Sequence, residues 1–177
     1  MYSTRFDTAL GTFALVWTDR GLQRVYLPGS DAAALDEKLS RLGAEPAEPT
    51  NAILALMDQI EDYADGVAVD FSAVPLDLQN VPQFHRRCYA ILQTIGWGQT
   101  TTYGDIARQL GDVTLSRAVG QAMGANPIPL VIPCHRVLAA GGAGGFSAPG
   151  GTETKRIMLA LEGVSMGAPP GQMQFSF

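Results

Sequence analysis

The segment from Asn126 to Val137, NPIPLVIPCHRV, holds the residues of this chain that are best suited to covalent chemistry. A cysteine thiolate is a nucleophile, and Cys134 is followed directly by His135 and Arg136, which can both carry positive charge beside it. Three prolines restrict the backbone, which favours a turn or an extended arm in which neighbouring side chains converge. The segment therefore predicts a nucleophilic Cys134 with a lowered pKa.

The same pair also has a purely structural interpretation. Buried thiols are mostly unreactive, so Cys134 would then be an inert core residue and His135 a surface residue. Cys88, the other cysteine, lies on the apolar face of a predicted helix and is expected to pack in the core. Two cysteines and two histidines without metal-ligand spacing predict neither a disulfide framework nor a zinc site, and they favour a reducing cytoplasm.

The motif around Cys134 resembles a known signature. The sequence PCHR at 133–136, preceded by Asn126-Pro127, is similar to the active site of the methylated-DNA–protein-cysteine methyltransferases, also called O6-alkylguanine-DNA alkyltransferases. The resemblance extends from about residue 84 to 163 and is looser in the N-terminal half. It implies DNA repair by direct damage reversal, in which an alkyl group moves once from O6-alkylguanine to Cys134. O4-alkylthymine is a second candidate substrate. The implied partner is double-stranded DNA with alkylated bases, and no metal or organic cofactor is expected.

The resemblance also implies roles for individual residues. Cys134 attacks the alkyl carbon, His135 receives the thiol proton through a water molecule, and Glu162 keeps His135 neutral and correctly turned. Tyr103 pushes the 3′ phosphate so that the base rotates out, and its hydroxyl helps the leaving guanine to accept a proton. The implied substrate pocket and its support are Asn126, Pro133, Arg136, Val137 and Ser147. Within the glycine-rich loop at 139–151, Ala148 competes with Ser147 for the place of the family's serine near O6.

Two short predicted helices, 103–110 and 115–125, are joined by a turn that contains glycine, which is the helix-turn-helix pattern. The second helix, LSRAVGQAMGA, has few side chains that could read base edges. Its small residues favour either close helix packing or a backbone that approaches a groove without reading sequence. In the resembling family this helix enters the minor groove, and an arginine fills the gap left by the extruded base. The residues implied at the DNA are Arg117, Tyr103, Ala118, Gly120 and Gly124.

The net charge of −5 is distributed unequally along the chain. Residues 1–81 contain 5 basic and 13 acidic side chains, whereas residues 82–177 contain 7 basic and 4 acidic ones. Only the second half is therefore expected to contact phosphate, with modest affinity for undamaged DNA. A slightly basic half is common in other proteins, so the charge alone does not decide the function.

The hydrophobic pattern predicts an α+β fold with an N-terminal domain at 1–81, a second domain at 82–166 and a tail at 167–177. The resemblance implies that the first domain, a small β-sheet with helices, is ribonuclease H-like, and that the second is of a mostly helical winged-helix or helix-turn-helix type. Strands are predicted at 2–8, 12–18, 22–27 and 67–71, and helices at 32–42, 52–64, 83–95, 103–110, 115–125 and 152–161. The segment from Val164 onward is expected to be poorly ordered. With no apolar run of membrane-spanning length and no signal peptide, a cytoplasmic monomer is expected.

Two other classes of function use the same residues. A non-catalytic sensor of alkylated bases would share the fold and the pocket, but relatives of that kind lack the cysteine that this chain has at position 134. A cysteine hydrolase built on Cys134, His135 and Glu162 would need an oxyanion hole and would turn over repeatedly. A transferase that forms a stable thioether would stop after one event, so the stoichiometry separates the two.

Overall fold

A computed structural model describes residues 1–29 and 31–165 as a mixed α+β structure, as predicted. The strands are β1 (Tyr2–Thr8), β2 (Gly11–Thr18), β3 (Gly21–Tyr26), β4 (Glu45–Pro46), β5 (Thr101–Thr102) and β6 (Val137–Leu138). The helices are α1 (Ala32–Leu42), α2 (Asn51–Ala64), α3 (Gln83–Leu92), α4 (Tyr103–Gln109), α5 (Ser116–Gly124) and α6 (Thr152–Leu161). Residues 166–177, which include the predicted tail, lie outside the described residues.

The N-terminal sheet has the strand order β3-β2-β1-β4, with β2 in the centre and buried on both faces. Because side chains alternate along a strand, Phe13, Leu15 and Trp17 enter the main core, and Ala14 and Val16 pack in a smaller cluster with residues of α1. Tight turns at Leu10-Gly11 and before Gly21 connect the first three strands, and both glycines have positive φ.

The strand predicted at 67–71 is wrong. The alternating apolar residues there do not reach a sheet edge, and the segment is irregular; Phe71 is buried in the main core instead. A turn follows at once, in which the backbone N–H of Ser72 donates to Asp70 Oδ1 over 2.8 Å. Three two-residue strands were not predicted: β4, which pairs in parallel with β1, and β5 and β6, which pair in parallel with each other.

The second half is built from α3 to α6 around the same main core, which contains Tyr63 of α2 as well as Cys88 and Met158. Cys88 is fully buried on α3, as predicted. Helix α4 is capped at its start by Thr102, whose Oγ1 accepts the backbone N–H of Asp105 over 3.1 Å. Within the described residues, no helix has the length and apolarity needed to cross a membrane.

Candidate active site

The backbone around Cys134 changes direction through two consecutive tight turns. Pro133 has φ −80° and ψ 63°, and the N–H of Cys134 donates to the carbonyl of Ile132 over 2.8 Å. These values describe an inverse γ-turn, for which the proline ring presets φ. A single 3₁₀ turn from Cys134 to Arg136 follows. The prolines thus place the thiol at a bend, in agreement with the arm or turn that the sequence predicted.

Asn126 holds this arm from the end of α5. Its amide Nδ2 donates to the carbonyl of Ile132 over 2.8 Å, and its Oδ1 accepts the N–H of Ile128 over 3.0 Å. Between these two anchors, Leu130 has a φ of 76°, a conformation that costs a residue with a Cβ about 1 kcal/mol or more. The asparagine therefore spans a strained bend.

Cys134 is 4% exposed and lines a cavity of about 240 Å³. The cavity lies between α5, the start of α4 and the glycine-rich loop, and its other lining residues are Tyr103, Gly120, Met123, Gly124, Gly145, Phe146 and Ser147. Ala148 lines only the neighbouring cleft, so the structure places Ser147, not Ala148, in the cavity. The thiol is accordingly buried in the protein but adjoins a space that a ligand could fill.

Tyr103 is sandwiched between two glycines at the side of this cavity. A Cβ on Gly144 would lie 3.2 Å from the Tyr103 hydroxyl, and one on Gly120 would lie 4.0 Å from the ring. A Cβ on Gly120 would therefore make only an ordinary van der Waals contact, and one on Gly124 would meet nothing within 4 Å. Arg117 is exposed on the same helix. Packing thus requires neither glycine of α5, which favours the interpretation that its small residues allow approach to a groove.

His135 and Glu162 form a buried pair, with 2.7 Å between Nε2 and Oε1. A carboxylate only accepts hydrogen bonds, so Nε2 carries the proton and Nδ1 keeps a free lone pair. In the described part of the chain, Nδ1 is buried and has no hydrogen-bond partner. Burial lowers the pKa of His135, against the opposing effect of Glu162. The imidazole is therefore neutral and presents a basic nitrogen.

Arg136 points away from the cavity and completes this network. Its Nε donates to Glu162 Oε2 over 2.8 Å and its Nη2 to Oε1 over 3.0 Å. Burial raises the pKa of Glu162, but hydrogen bonds from His135 and Arg136 outweigh it and bring the value to about 2. Of the two roles expected for Arg136, pocket lining and support, its contacts fit support: it binds Glu162, the partner of the imidazole.

The lowered thiol pKa that the sequence predicted is wrong. Burial raises the pKa of Cys134, and a hydrogen bond from Asn126 and the charge of Lys155 offset this only in part. The neighbouring histidine is neutral and the positive charge of Arg136 is paired with Glu162, so neither cation acts on the sulfur as expected. The Cys134 thiol is therefore protonated at neutral pH, and it needs a base to become a thiolate.

Sequence reasoning missed Lys155, which is fully buried on α6. Its Nζ donates to the carbonyl of Val137 over 2.5 Å and to that of Gly145 over 3.2 Å, and so joins the strand after the nucleophile to the cavity loop. Burial lowers its pKa to about 8. The available signal was spacing, because Lys155 lies three and four residues before the buried Met158 and Leu159 on one helix face.

Acidification is expected to destabilise the protein in two steps. As the pH falls, the unfolded chain binds protons at a higher pH than the native state does, because folding lowers the pKa values of both His135 and Glu162. Stability is thus lost below pH 6.5 through His135, and between about pH 4.5 and 2 through Glu162 by about 3 kcal/mol. Urea unfolding from pH 7 to 3 measures this. The control is His85→Gln, at the other histidine, which should still lose stability below pH 6.5. A free energy of unfolding that does not change with pH in the wild type would contradict the prediction.

Together these features define a protein with a cysteine nucleophile at a cavity beside a pair of short helices, α4 and α5. Residues 83–164 match the family model described as 6-O-methylguanine DNA methyltransferase, DNA binding domain. A methylated-DNA–protein-cysteine methyltransferase of Metallosphaera sedula is 40% identical over 139 residues, which cover 76% of this chain and 86% of the relative. One from Sulfolobus acidocaldarius is 35% identical over 92% of this chain and 94% of the relative.

Solved structures agree with these relatives. A crystal structure of Mycobacterium tuberculosis OGT in complex with DNA superposes with a TM-score of 0.76 at 32% identity, covering 92% of both chains. The chain belongs to the methylated-DNA–protein-cysteine methyltransferases. The resemblance stated from the sequence is confirmed.

Proposed function

We propose that this protein repairs DNA by moving the alkyl group of O6-alkylguanine in double-stranded DNA to its own Cys134. The observation that carries the proposal is the position of Cys134 in the cavity beside α5, next to a neutral histidine with an unpartnered basic nitrogen. The cavity volume of about 240 Å³ equals roughly eight water molecules at about 30 Å³ each, enough for an inserted base. The crystal structure of Mycobacterium tuberculosis OGT in complex with DNA supports the same partner.

In the proposed reaction, His135 Nδ1 takes the proton of the Cys134 thiol through a water molecule. The sulfur attacks the alkyl carbon as the bond from that carbon to guanine O6 breaks, and the electron pair stays on the guanine. The leaving guanine accepts a proton from the Tyr103 hydroxyl, which regains one from solvent, and His135 releases the thiol proton to solvent. A base is needed because burial raises the pKa of the thiol. The product is a thioether, which does not hydrolyse, so the protein acts once.

The DNA is proposed to lie along α5. A stacked guanine cannot reach a buried sulfur, so the base must leave the helix. Arg117 is exposed on α5 and fills the place in the DNA that the guanine has left. The small residues Ala118, Gly120 and Gly124 allow the backbone of α5 to approach the DNA closely. Ser147 and the backbone near Cys134 and Val137 are proposed to bind the guanine edge; the Val137 carbonyl already accepts Lys155 Nζ, which leaves it one lone pair.

The finer architecture is part of the same proposal. We place a ribonuclease H-like domain at 1–81 and a winged-helix, helix-turn-helix type domain at 82–166, supported by the α4–α5 pair and the small β5–β6 sheet. The tail is 167–177. Two unpaired cysteines support a reducing, cytoplasmic location. A monomer is proposed because one chain supplies the whole site.

The decisive test is the intact mass of the protein after mixing with DNA that contains O6-methylguanine. We expect a gain of one CH₂ per chain that does not increase with excess DNA, located on Cys134 by peptide mapping. Unmodified DNA and the Cys134→Ser variant are the controls, and neither should give a gain. A hydrolase would restore guanine repeatedly without a lasting mass change, and a sensor would bind the DNA and leave the methyl group in place.

A further inference from the structure

We propose that Tyr63, a residue of the N-terminal helix α2, positions the His135–Glu162 pair for the transfer reaction, so that the N-terminal part of the chain controls the chemistry of Cys134. This inference deepens the proposed function and rests on it. Nothing in the sequence distinguished Tyr63 from the other apolar residues of α2.

The hydroxyl of Tyr63 contacts the oxygen that orients the imidazole. Tyr63 is fully buried, and its hydroxyl lies 3.2 Å from Glu162 Oε1 and 3.4 Å from the carbonyl of Met158. The same Oε1 accepts the proton on His135 Nε2 over 2.7 Å. One oxygen atom therefore links a side chain of α2 to the imidazole next to the nucleophile.

The ring of Tyr63 contacts the imidazole as well. The two ring centroids are 6.4 Å apart with an interplanar angle of 76°, an edge-to-face arrangement. Trp97 meets Tyr63 in the same way, at 5.4 Å and 76°. Tyr63 is thus held by Trp97 and fixes both the plane of the His135 ring and its acceptor.

The hydroxyl is a permanent neutral donor at this site. Burial, and then the negative charge of Glu162, raise the pKa of Tyr63, so the hydroxyl keeps its proton around neutral pH. A neutral donor withdraws part of the negative charge on Oε1 without adding a charge. Its removal leaves that oxygen more negative, which favours the protonated imidazole. The pKa of His135 should then rise.

Other groups near the imidazole are unchanged by this removal. The charged and titratable side chains that act on His135 are Lys155 from α6, Glu162 directly after that helix, Arg136 from its own turn and Tyr63 from α2. The Met158 carbonyl also keeps a partner, because the N–H of Glu162 donates to it over 3.2 Å. Glu162 Oε1 loses the Tyr63 hydroxyl and keeps His135 Nε2 and Arg136 Nη2 as donors.

The test is Tyr63→Phe, which keeps the ring and deletes the hydroxyl. We expect the single-turnover rate at saturating O6-methylguanine DNA to fall about fivefold, with DNA affinity unchanged. The acid limb of the rate against pH should move up by about half a unit, because His135 is protonated at a higher pH. Thr18→Val is the matched control, since Thr18 Oγ1 also donates to a buried carboxylate, that of Asp77, over 2.7 Å.

The outcomes separate the possible explanations. A purely structural role for Tyr63 would lower the unfolding temperature of Tyr63→Phe and of Thr18→Val alike, with the wild-type rate and pH profile in both, and would overturn the inference. A loss of DNA affinity with an unchanged saturated rate would overturn it too. If the wild type itself gains no alkyl group in this assay, it is the proposed function that fails.

Discussion

Replacing Glu162 by glutamine is expected to lower the transfer rate by about 100-fold and the free energy of unfolding by roughly 3–5 kcal/mol. The carboxylate accepts hydrogen bonds from His135, Arg136 and the Gly98 N–H, and an amide would turn an NH₂ group toward one of these donors. Arg136 would also lose its counter-charge while only 5% exposed. Urea unfolding and single-turnover alkyl transfer measure the two effects.

A second substitution separates stability from chemistry. In Arg136→Met/Glu162→Gln the orphaned cation is gone, so much of the lost stability should return while the rate stays low. Asp77→Asn is the matched control, because Asp77 is also a buried carboxylate, bound by Thr18 and Arg20, but lies outside the cavity. It should cost stability without affecting transfer at saturating DNA. A Glu162→Gln protein that transfers at the wild-type rate would contradict the role of the network.

The local part of the site could be predicted from the sequence because its causes are local. A proline before Cys134 presets the φ of the γ-turn, and an asparagine eight residues earlier spans the strained bend. The caps at Thr102 and Gly43 follow the same logic, with a side-chain acceptor at one helix start and a left-handed φ at one helix end. Such features depend on a few consecutive residues.

What the sequence could not supply depends on residues far apart in the chain. The thiol pKa was predicted from two adjacent cations, but the fold neutralises both by pairing Arg136 with Glu162 and by burying His135. The strand expected at 67–71 has suitable alternation, but it does not pair with the edge strand β3, where Leu22 is bridged by Leu76 instead. Tyr63 lies 99 residues from its acceptor on Glu162, and no local pattern marks that contact.

Replacing Lys155 by methionine is expected to lower the transfer rate by about 100-fold and to change the free energy of unfolding by less than about 2 kcal/mol. The pKa of Lys155 is about 8, so most molecules are charged at neutral pH and the charge favours the Cys134 thiolate. Its two hydrogen bonds, to Val137 and Gly145, hold the loop that carries Ser147 against the nucleophile. Methionine keeps the apolar stem and removes a buried charge whose desolvation is unfavourable. This gain largely compensates for the two lost hydrogen bonds, so the free energy of unfolding changes little.

The matched control is Lys38→Met, because Lys38 is exposed on α1 and should tolerate the same change. Alkyl transfer at several pH values distinguishes the two contributions of Lys155. Loss of its charge raises the pKa of the Cys134 thiol further, and this part of the deficit should shrink as the pH rises and thiolate forms without help. Loss of the loop contact should persist at every pH. A Lys155→Met protein that is stable and fully active would show that neither contact contributes to transfer.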